Sequence, residues 1–448
     1  MGKYFGTDGF RGDAGTVLTA DHAYRIGRIL GIIFKGNTGR ARAVIGKDTR
    51  LSSYMLEYAI AAGLAASGAD AYMLHVTTTP CVSYATATGG FDIGIMISAS
   101  HNVFSDNGIK VIGRGGEKIG DEEIAKIEAL MDLEEELPFA TGENVGRIVD
   151  YYEGRNRYIG YLISLSRNSF KKLKIGLDCS NGGSWMIAKA VFEALGANVR
   201  AIGTEPDGTN INRGCGSTHI ENLSKLVKDE GLDMGFAFDG DADRCIAVDS
   251  EGCEVNGDHI LYVLGTGMKR RGELFDNKIV TTVMSNLGLY RALDKIGVEY
   301  EQTAVGDRFV YECMQKEGYQ LGGEQSGHII MSKYATTGDG ILTAIKLTEE
   351  VIESKKTLRE LASEVTMLPQ LTVNIRVKSK SAVTSSEKVI AATEEVKTEL
   401  GKNGRILLRK SGTEPVIRIM VEAESVELCR TLTERVANVI RTEGLAEV

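Results

Sequence analysis

One arrangement recurs three times along the 448 residues and restricts the fold more than any other feature. An apolar run ends in a small, polar turn at ARAVIGKDTR (residues 41–50), LKIGLDCSNGG (173–183) and NKIVTTVMSNLG (277–288). Each opens a helix-like stretch, which stops near a glycine and yields to a second β-rich run: SGADAYMLHV (67–76), LGANVRAIGT (195–204) and IGVEYEQTAV (296–305). A third run then enters an unusual loop: FDIGIMISASHN (91–102), LDMGFAFDGDADR (232–244) and GYQLGGEQSGH (318–328). Alternation of this kind predicts three related mixed α/β domains, with mostly parallel sheets and helices on both faces. Ligands then bind beyond the carboxyl ends of the strands. The three loops are therefore expected at a shared central cleft.

The remainder breaks the pattern. LPQLTVNIRVKS from Leu368, an amphipathic stretch to Leu400 and RILLRKSGTEPVIRIMVEAES read as strand, helix and strand pair, a smaller α+β domain. Linkers are expected at MDLEEELPFATGEN (131–144), at 249–256 and around Pro369. The resulting division is 1–150, 151–254, 255–368 and 369–448. A chain this long needs several cores.

Net charge of −9 argues against a broad nucleic-acid footprint but permits an anionic ligand where arginines and lysines cluster. Seven cysteines, an odd number without any Cys-x-x-Cys, fit reduced thiols in a cytoplasm. The first residues, MGKYFGTDGFRGD, carry charge and glycine where a signal peptide needs an apolar core. No run approaches the ~18 apolar residues of a membrane span. The expectation is a cytoplasmic protein with a small-molecule ligand, and neither nucleic acid nor membrane as partner.

DGDADR (239–244) sets three carboxylates at alternate positions, so an extended segment presents Asp239, Asp241 and Asp243 on one side. Their repulsion is relieved by a hard divalent cation, and oxygen-only ligands favour Mg²⁺, Mn²⁺ or Ca²⁺ over zinc. An EF-hand is excluded, because Arg244 and Ser250 stand where that loop needs glycine and glutamate. The bland alternative is a solvated acidic turn. SASHN (98–102) invites a serine hydrolase, yet neighbouring side chains diverge and no Gly-x-Ser-x-Gly elbow is present, so His101 is a poor base for Ser100. A serine facing a metal suggests phosphoryl transfer instead.

In GGEQSGH, Glu324, Ser326 and His328 offer an acceptor, a hydroxyl and a titratable ring suited to sugar hydroxyls or an amine. In RKSGTEPVIR (409–418), Ser411, Gly412 and Thr413 supply donors for a phosphate, and Arg409 and Arg418 supply charged forks. An ordinary glycine-rich turn and a solvated basic turn are the competing readings. Arg11, Lys47, Arg50, Lys110, Arg244 and Arg308 are expected to add to an anion-focusing field.

Taken in order, GTDGFRG, GKDTR, SASHN with DNGIK, DGDADR, GGEQSGH and RKSGTEPVIR resemble the phosphohexomutase superfamily over essentially the whole chain. The resemblance implies four domains around a cleft and phosphate transfer between C6 and C1 of a sugar. Ser100 is then a phosphoserine that completes a Mg²⁺ site with Asp239, Asp241 and Asp243. It implies sugar contacts for Glu324 and Ser326, and a grip on the non-reacting phosphate by Arg409, Ser411, Gly412, Thr413 and Arg418. Arg11, Lys110, Arg244 and His328 take phosphate-contact or proton-transfer roles. NINRGCGSTH (210–219) and Gln325 point, within the superfamily, to glucosamine 6-phosphate and glucosamine 1-phosphate on the route to UDP-N-acetylglucosamine, with a sugar bisphosphate as intermediate and activator. Mannose or glucose phosphates, and a metal-assisted sugar phosphatase, are the alternatives. Val103, Ser53 and Lys410 depart from the usual pattern. Oligomeric state stays open, with a homodimer as one option.

Overall fold

The computed structural model describes residues 2–6, 8–35, 39–133, 137–411 and 415–447. The chain forms two compact units, one of Met1–Met284 with Gly297–Ser363 and the other of Ser285–Ile296 with Glu364–Val448.

Among the described residues the first unit holds three sheets. The first contains β1 (Phe10–Asp13), β2 (Arg42–Lys47), β3 (Asp70–Val76), β4 (Ile93–Ile97), β5 (Asp106–Ile112) and β6 (Ile148–Asp150) in the order β1-β5-β4-β2-β3-β6. The second contains β7 (Lys174–Asp178), β8 (Asn198–Ile202), β9 (Met234–Phe238), β10 (Cys245–Asp249) and β11 (Glu254–Val255) in the order β11-β10-β9-β7-β8. The third is β13-β12-β14-β15, from β12 (Lys278–Thr282), β13 (Glu299–Thr303), β14 (Leu321–Gly323) and β15 (Ile329–Met331).

Each repeat has the same skeleton. Its first strand lies between its second and third, all parallel: β2 with β3 and β4, β7 with β8 and β9, β12 with β13 and β14. IGIMI of β4 and MGFAF of β9 are buried at every residue, as a strand covered on both faces must be. That is why these runs are continuously apolar rather than alternating. Phe170 and Phe192 pack in series against Phe236 of β9, each burial contributing about 1.5–3 kcal/mol.

The repeat reading missed one component. After each loop the chain returns antiparallel: β5 against β4, β10 against β9 and β15 against β14. The site loops are thus hairpin turns, and the sheets are mixed. Residues 249–256, expected as a linker, are also part of the sheet, because Ala247 and Val248 of β10 pair with Val255 and Glu254 of β11.

The second unit carries β16 (Gln370–Arg376), β17 (Arg405–Lys410) and β18 (Val416–Glu422), antiparallel in the order β16-β18-β17. Its core includes Ile417, Ile419 and Val421 against Val436 and Ile440 of a final helix, Val426–Thr442, which the sequence reading passed over. The helix Leu287–Ile296, assigned by the repeat to the third domain, belongs to this unit. Leu287 N–H donates to Glu422 Oε2 (3.0 Å), and Arg291 donates to the Lys402 carbonyl (2.7 Å).

Candidate active site

The β4–β5, β9–β10 and β14–β15 turns meet in the first unit. Ser100 is buried and sits in the left-handed region at φ 53°. Its Oγ donates to Asp239 Oδ2 at 2.5 Å, while His101 Nδ1 stands 3.5 Å away. Burial, reinforced by Arg244 and Arg11, pushes the His101 imidazolium down to about 4, and the Ser100 hydroxyl is given to Asp239 rather than to this ring. Asn102 is spent within its own loop on Asp106 (2.9 Å).

Ligand atoms of Asp239, Asp241 and Asp243 all lie within 4.8 Å of one another, and the three residues are buried. Lys110, on β5 opposite Met96, reaches into this cluster from the return strand of the serine hairpin. Its Nζ donates to Asp241 Oδ2 (2.7 Å) and Asp243 Oδ2 (3.2 Å). Burial alone pushes the Lys110 ammonium down, yet Asp241, Asp243 and Asp8 hold it well above its ordinary value. Burial, then Asp243 and Asp241, push the Asp239 carboxyl well above the carboxylate range, outweighing the pull of Arg244 and of the Ser100 hydroxyl.

The oxygens divide the work. Each Oδ2 of Asp241 and Asp243 is held by Lys110, whereas Oδ1 of both is buried without a hydrogen-bond partner among the described residues. Two buried, unsatisfied carboxylate oxygens beside a third carboxylate and a serine hydroxyl fit a hard divalent cation. The residues present can therefore hold a metal.

Other site residues take definite places. Arg244 is shielded, its backbone N–H donating to Asp239 Oδ1 (3.2 Å). Arg11 pairs with Asp8. His328 is buried with Nδ1 3.7 Å from Asp243 Oδ1, Nε2 3.4 Å from Asp307, and the Gly338 N–H on Nε2 at 3.0 Å. Burial pushes its imidazolium down, but Asp307 and Asp243 outweigh that and raise it. Glu324 accepts from the Gly306 N–H (3.1 Å), Ser326 is exposed at the tip of the turn, and Gly327 adopts φ 89° where a side chain would strike the Cys245 carbonyl.

Not every expected cation faces this cluster. Lys47 turns under Tyr54 toward Glu57, Arg308 is engaged by Asp121 (2.5 Å) and Glu312 (2.7 Å), and Arg50 is consumed by backbone carbonyls. Conversely, Asp8, Lys118 and Asp307 form a junction that the sequence reading overlooked. Lys118 Nζ pairs with Asp8 and with Asp307 Oδ2 (2.6 Å). Asp8 stood inside the quoted GTDGFRG and Asp307 beside Arg308, which were the available signals.

In the second unit Arg409 and Arg418 are directly paired across β17 and β18. Burial, then the neighbouring Arg418 charge, lower the Arg409 guanidinium. Ser411 begins the turn, its N–H on the Val416 carbonyl (3.0 Å) and its carbonyl on Lys380 (2.8 Å). Gly412 and Thr413 lie outside the described residues.

Crowded carboxylates facing a buried serine, on three α/β repeats followed by a small antiparallel domain, define a class. The chain belongs to the phosphoglucomutase/phosphomannomutase family. Its α/β/α domain I profile matches residues 2–138, domain II 156–252, domain III 256–367 and the C-terminal domain 373–439. It is 60% identical to phosphoglucosamine mutase of Lachnospira eligens, with 100% of each chain covered, and 56% identical to phosphoglucosamine mutase of Lachnoclostridium phytofermentans, with 99% of each covered. A crystal structure of a phosphoglucomutase/phosphomannomutase family protein from Burkholderia thailandensis superposes with TM-score 0.81 at 24% identity, covering 99% of this chain and 98% of that one.

Proposed function

We propose that this protein interconverts glucosamine 6-phosphate and glucosamine 1-phosphate, with Ser100 as the phosphate carrier and a sugar bisphosphate as intermediate and activator. The observation that carries the reading is Ser100 Oγ 2.5 Å from Asp239, within a carboxylate cluster whose Asp241 and Asp243 Oδ1 atoms are buried and take no hydrogen bond among the described residues. The full-length likeness to phosphoglucosamine mutases supports the amino-sugar substrate over the glucose and mannose alternatives.

Asp239, Asp241 and Asp243, with an oxygen on Ser100, would hold Mg²⁺, which supplies charge stabilisation to a phosphoryl group on the serine. The protein's own groups do the rest. Lys110 fixes two of the carboxylates, and Arg244 stands where negative charge accumulates during an in-line displacement. Arg11, beside Asp8, extends that cationic edge.

Phosphoserine gives its phosphoryl group to one end of the sugar phosphate, forming a bisphosphate, and the other phosphate returns to Ser100. Glu324 and Ser326 serve as sugar contacts, with the carboxylate suited to an amine. Arg409, Ser411, Gly412, Thr413 and Arg418 are assigned to grip the non-reacting phosphate. His328, nearly enclosed between Asp243 and Asp307, is better suited to orienting Asp243 than to reaching a sugar hydroxyl.

All seven cysteines are free thiols, which supports a cytoplasmic setting. No helix among the described residues is long and apolar enough to cross a membrane.

The deciding experiment measures interconversion of glucosamine, glucose and mannose 6-phosphates with Mg²⁺ and glucose 1,6-bisphosphate present. Glucosamine 6-phosphate is expected to give the largest kcat/KM. A preference for glucose or mannose overturns the substrate assignment, and inorganic phosphate released faster than isomer forms overturns mutase chemistry.

A further inference from the structure

The NINRGCGSTH segment and the buried Arg50 are not used by the mechanism above, yet both converge on the backbone that carries Ser100. Arg50 Nη2 donates to the carbonyls of Ser100 (3.0 Å) and Asn102 (2.9 Å), and Nη1 to that of Val103 (2.5 Å). Asn212 Nδ2 donates to the same Ser100 and Asn102 carbonyls, at 2.8 and 3.0 Å. Each of these two oxygens thus receives two hydrogen bonds, the full capacity of a carbonyl. One set comes from the first sheet's β2 turn and the other from the domain that bears the three aspartates.

Both donors are themselves held. Arg50 is fully buried, its Nε on Asp48 Oδ2 (2.8 Å), and Ser53 Oγ donates to Asp48 Oδ1 (2.7 Å). Ser53, a departure from the usual glycine, therefore adds a brace to Arg50. Asn212 is buried at φ 57°, its N–H on the Ser180 carbonyl (3.0 Å). Two further bonds cross at the same place, Leu51 N–H to the Gly208 carbonyl (2.8 Å) and Thr49 Oγ1 to the Asn181 carbonyl.

We propose that Arg50 and Asn212 are positioning residues for Ser100, with Asn212 setting the serine from the domain of the aspartates it must face. The inference rests on Ser100 being the phosphate carrier. A serine at φ 53° occupies a conformation that costs about 1–2 kcal/mol outside a supporting environment. With its carbonyl released, the residue relaxes and Oγ leaves the Asp239 contact. Neither side chain offers a donor to a sugar. NINRGCGSTH then governs the rate of transfer, not the choice of sugar.

The test is single-turnover phosphorylation of Ser100 by glucose 1,6-bisphosphate with Mg²⁺, followed by intact mass, alongside steady-state kinetics on glucosamine 6-phosphate. For Asn212→Ala and Arg50→Lys, transfer and kcat are expected to fall roughly 10- to 100-fold while KM stays within about twofold. Lysine keeps the charge but cannot span three carbonyls. Asn212→Gln, which retains the amide but displaces it, is expected to show the same split and serves if the alanine variant does not fold.

A folded Asn212 variant with transfer within about twofold of the parent overturns the inference. So does a shift in KM or in glucosamine-over-glucose preference with transfer intact, which would make the segment a sugar selector. If the parent protein itself takes no phosphate onto Ser100, the functional reading fails instead, so the two failures are distinct.

Discussion

The β9–β10 turn of the first unit and the β17–β18 hairpin of the second solve opposite electrostatic problems with the same antiparallel geometry. The first crowds three carboxylates against a single ammonium, and Asp239 responds by rising well above its ordinary value. The second sets Arg409 directly across from Arg418, and the Arg409 guanidinium falls. Both hairpins hold like charges together in partly or wholly desolvated surroundings, at a cost in stability. One arrangement is built to receive a cation and the other an anion, and the backbone distinguishes neither. The sign lies in the side chains alone.

The contrast can be broken most severely at the serine. Ser100→Ala is expected to lower interconversion roughly 10³-fold or more while sugar-phosphate binding persists, as read by turnover and by calorimetric titration. A rate near the parent's would mean that the carboxylate turn serves another group.

Asp239→Asn tests whether the crowding is functional. It removes one repelling charge and keeps an acceptor for Ser100, so activity should drop about 100-fold while metal-free melting stays level or rises. Mg²⁺ should raise the melting temperature of the parent by a few degrees, and that rise should vanish in the variant. Lower metal-free stability in the variant would contradict the repulsion.

Arg409→Gln is the mirror experiment. Loss of a charged fork should raise KM for glucosamine 6-phosphate about tenfold with a smaller change in kcat, and keep melting level or raise it because Arg418 loses a repelling neighbour. An effect on kcat alone would argue against phosphate binding by this hairpin.

The smallest expected effect sharpens the comparison with a buried pair of opposite sign. Lys47 and Glu57 approach to 4.0 Å, and among the described residues neither Lys47 Nζ nor the Glu57 oxygens find hydrogen-bond partners. Tyr54, Asp48 and His75 face the pair. Burial pushes the Lys47 ammonium down to about 8 from 10.5, although Glu57 and Asp48 pull the other way. Between those values the unfolded chain holds the proton and the folded chain does not, so stability rises with pH. Urea unfolding at about pH 8 and pH 10 should show the parent gaining roughly 1–2 kcal/mol relative to Lys47→Met, the buried cysteines cancelling in the comparison. An unchanged slope would mean that Lys47 keeps its proton across this range.

How legible these features were depended on sequence distance. Ser100 and the three aspartates announced themselves because each motif is contiguous and follows a fully apolar strand. Asp8, Lys118 and Asp307 were hidden, since an isolated charge reads as solvated until the fold brings it against others 110 and 189 residues away. Return strands such as Ile329–Met331 are too short to reveal whether they pair parallel or antiparallel. The apolar stripe of Leu287–Ile296 showed that the helix packs, but not on which unit. Cation counting placed Arg50 at an anionic ligand, whereas its guanidinium is taken up by Asp48 and by the carbonyls of Ser100, Asn102 and Val103, a use that composition does not distinguish.

The hairpin form of the site loops has a practical corollary for protein engineers. Each reactive turn leaves and re-enters the same sheet, so its ends are anchored by a ladder only a few residues long, as from Phe238 paired with Cys245. The turn itself is tied to elements outside its sheet, with the Thr79 N–H on the Asp241 carbonyl (2.9 Å) and the Gly340 N–H on the Ala242 carbonyl (3.0 Å), so an exchange between homologues has to carry these helix starts along with the turn.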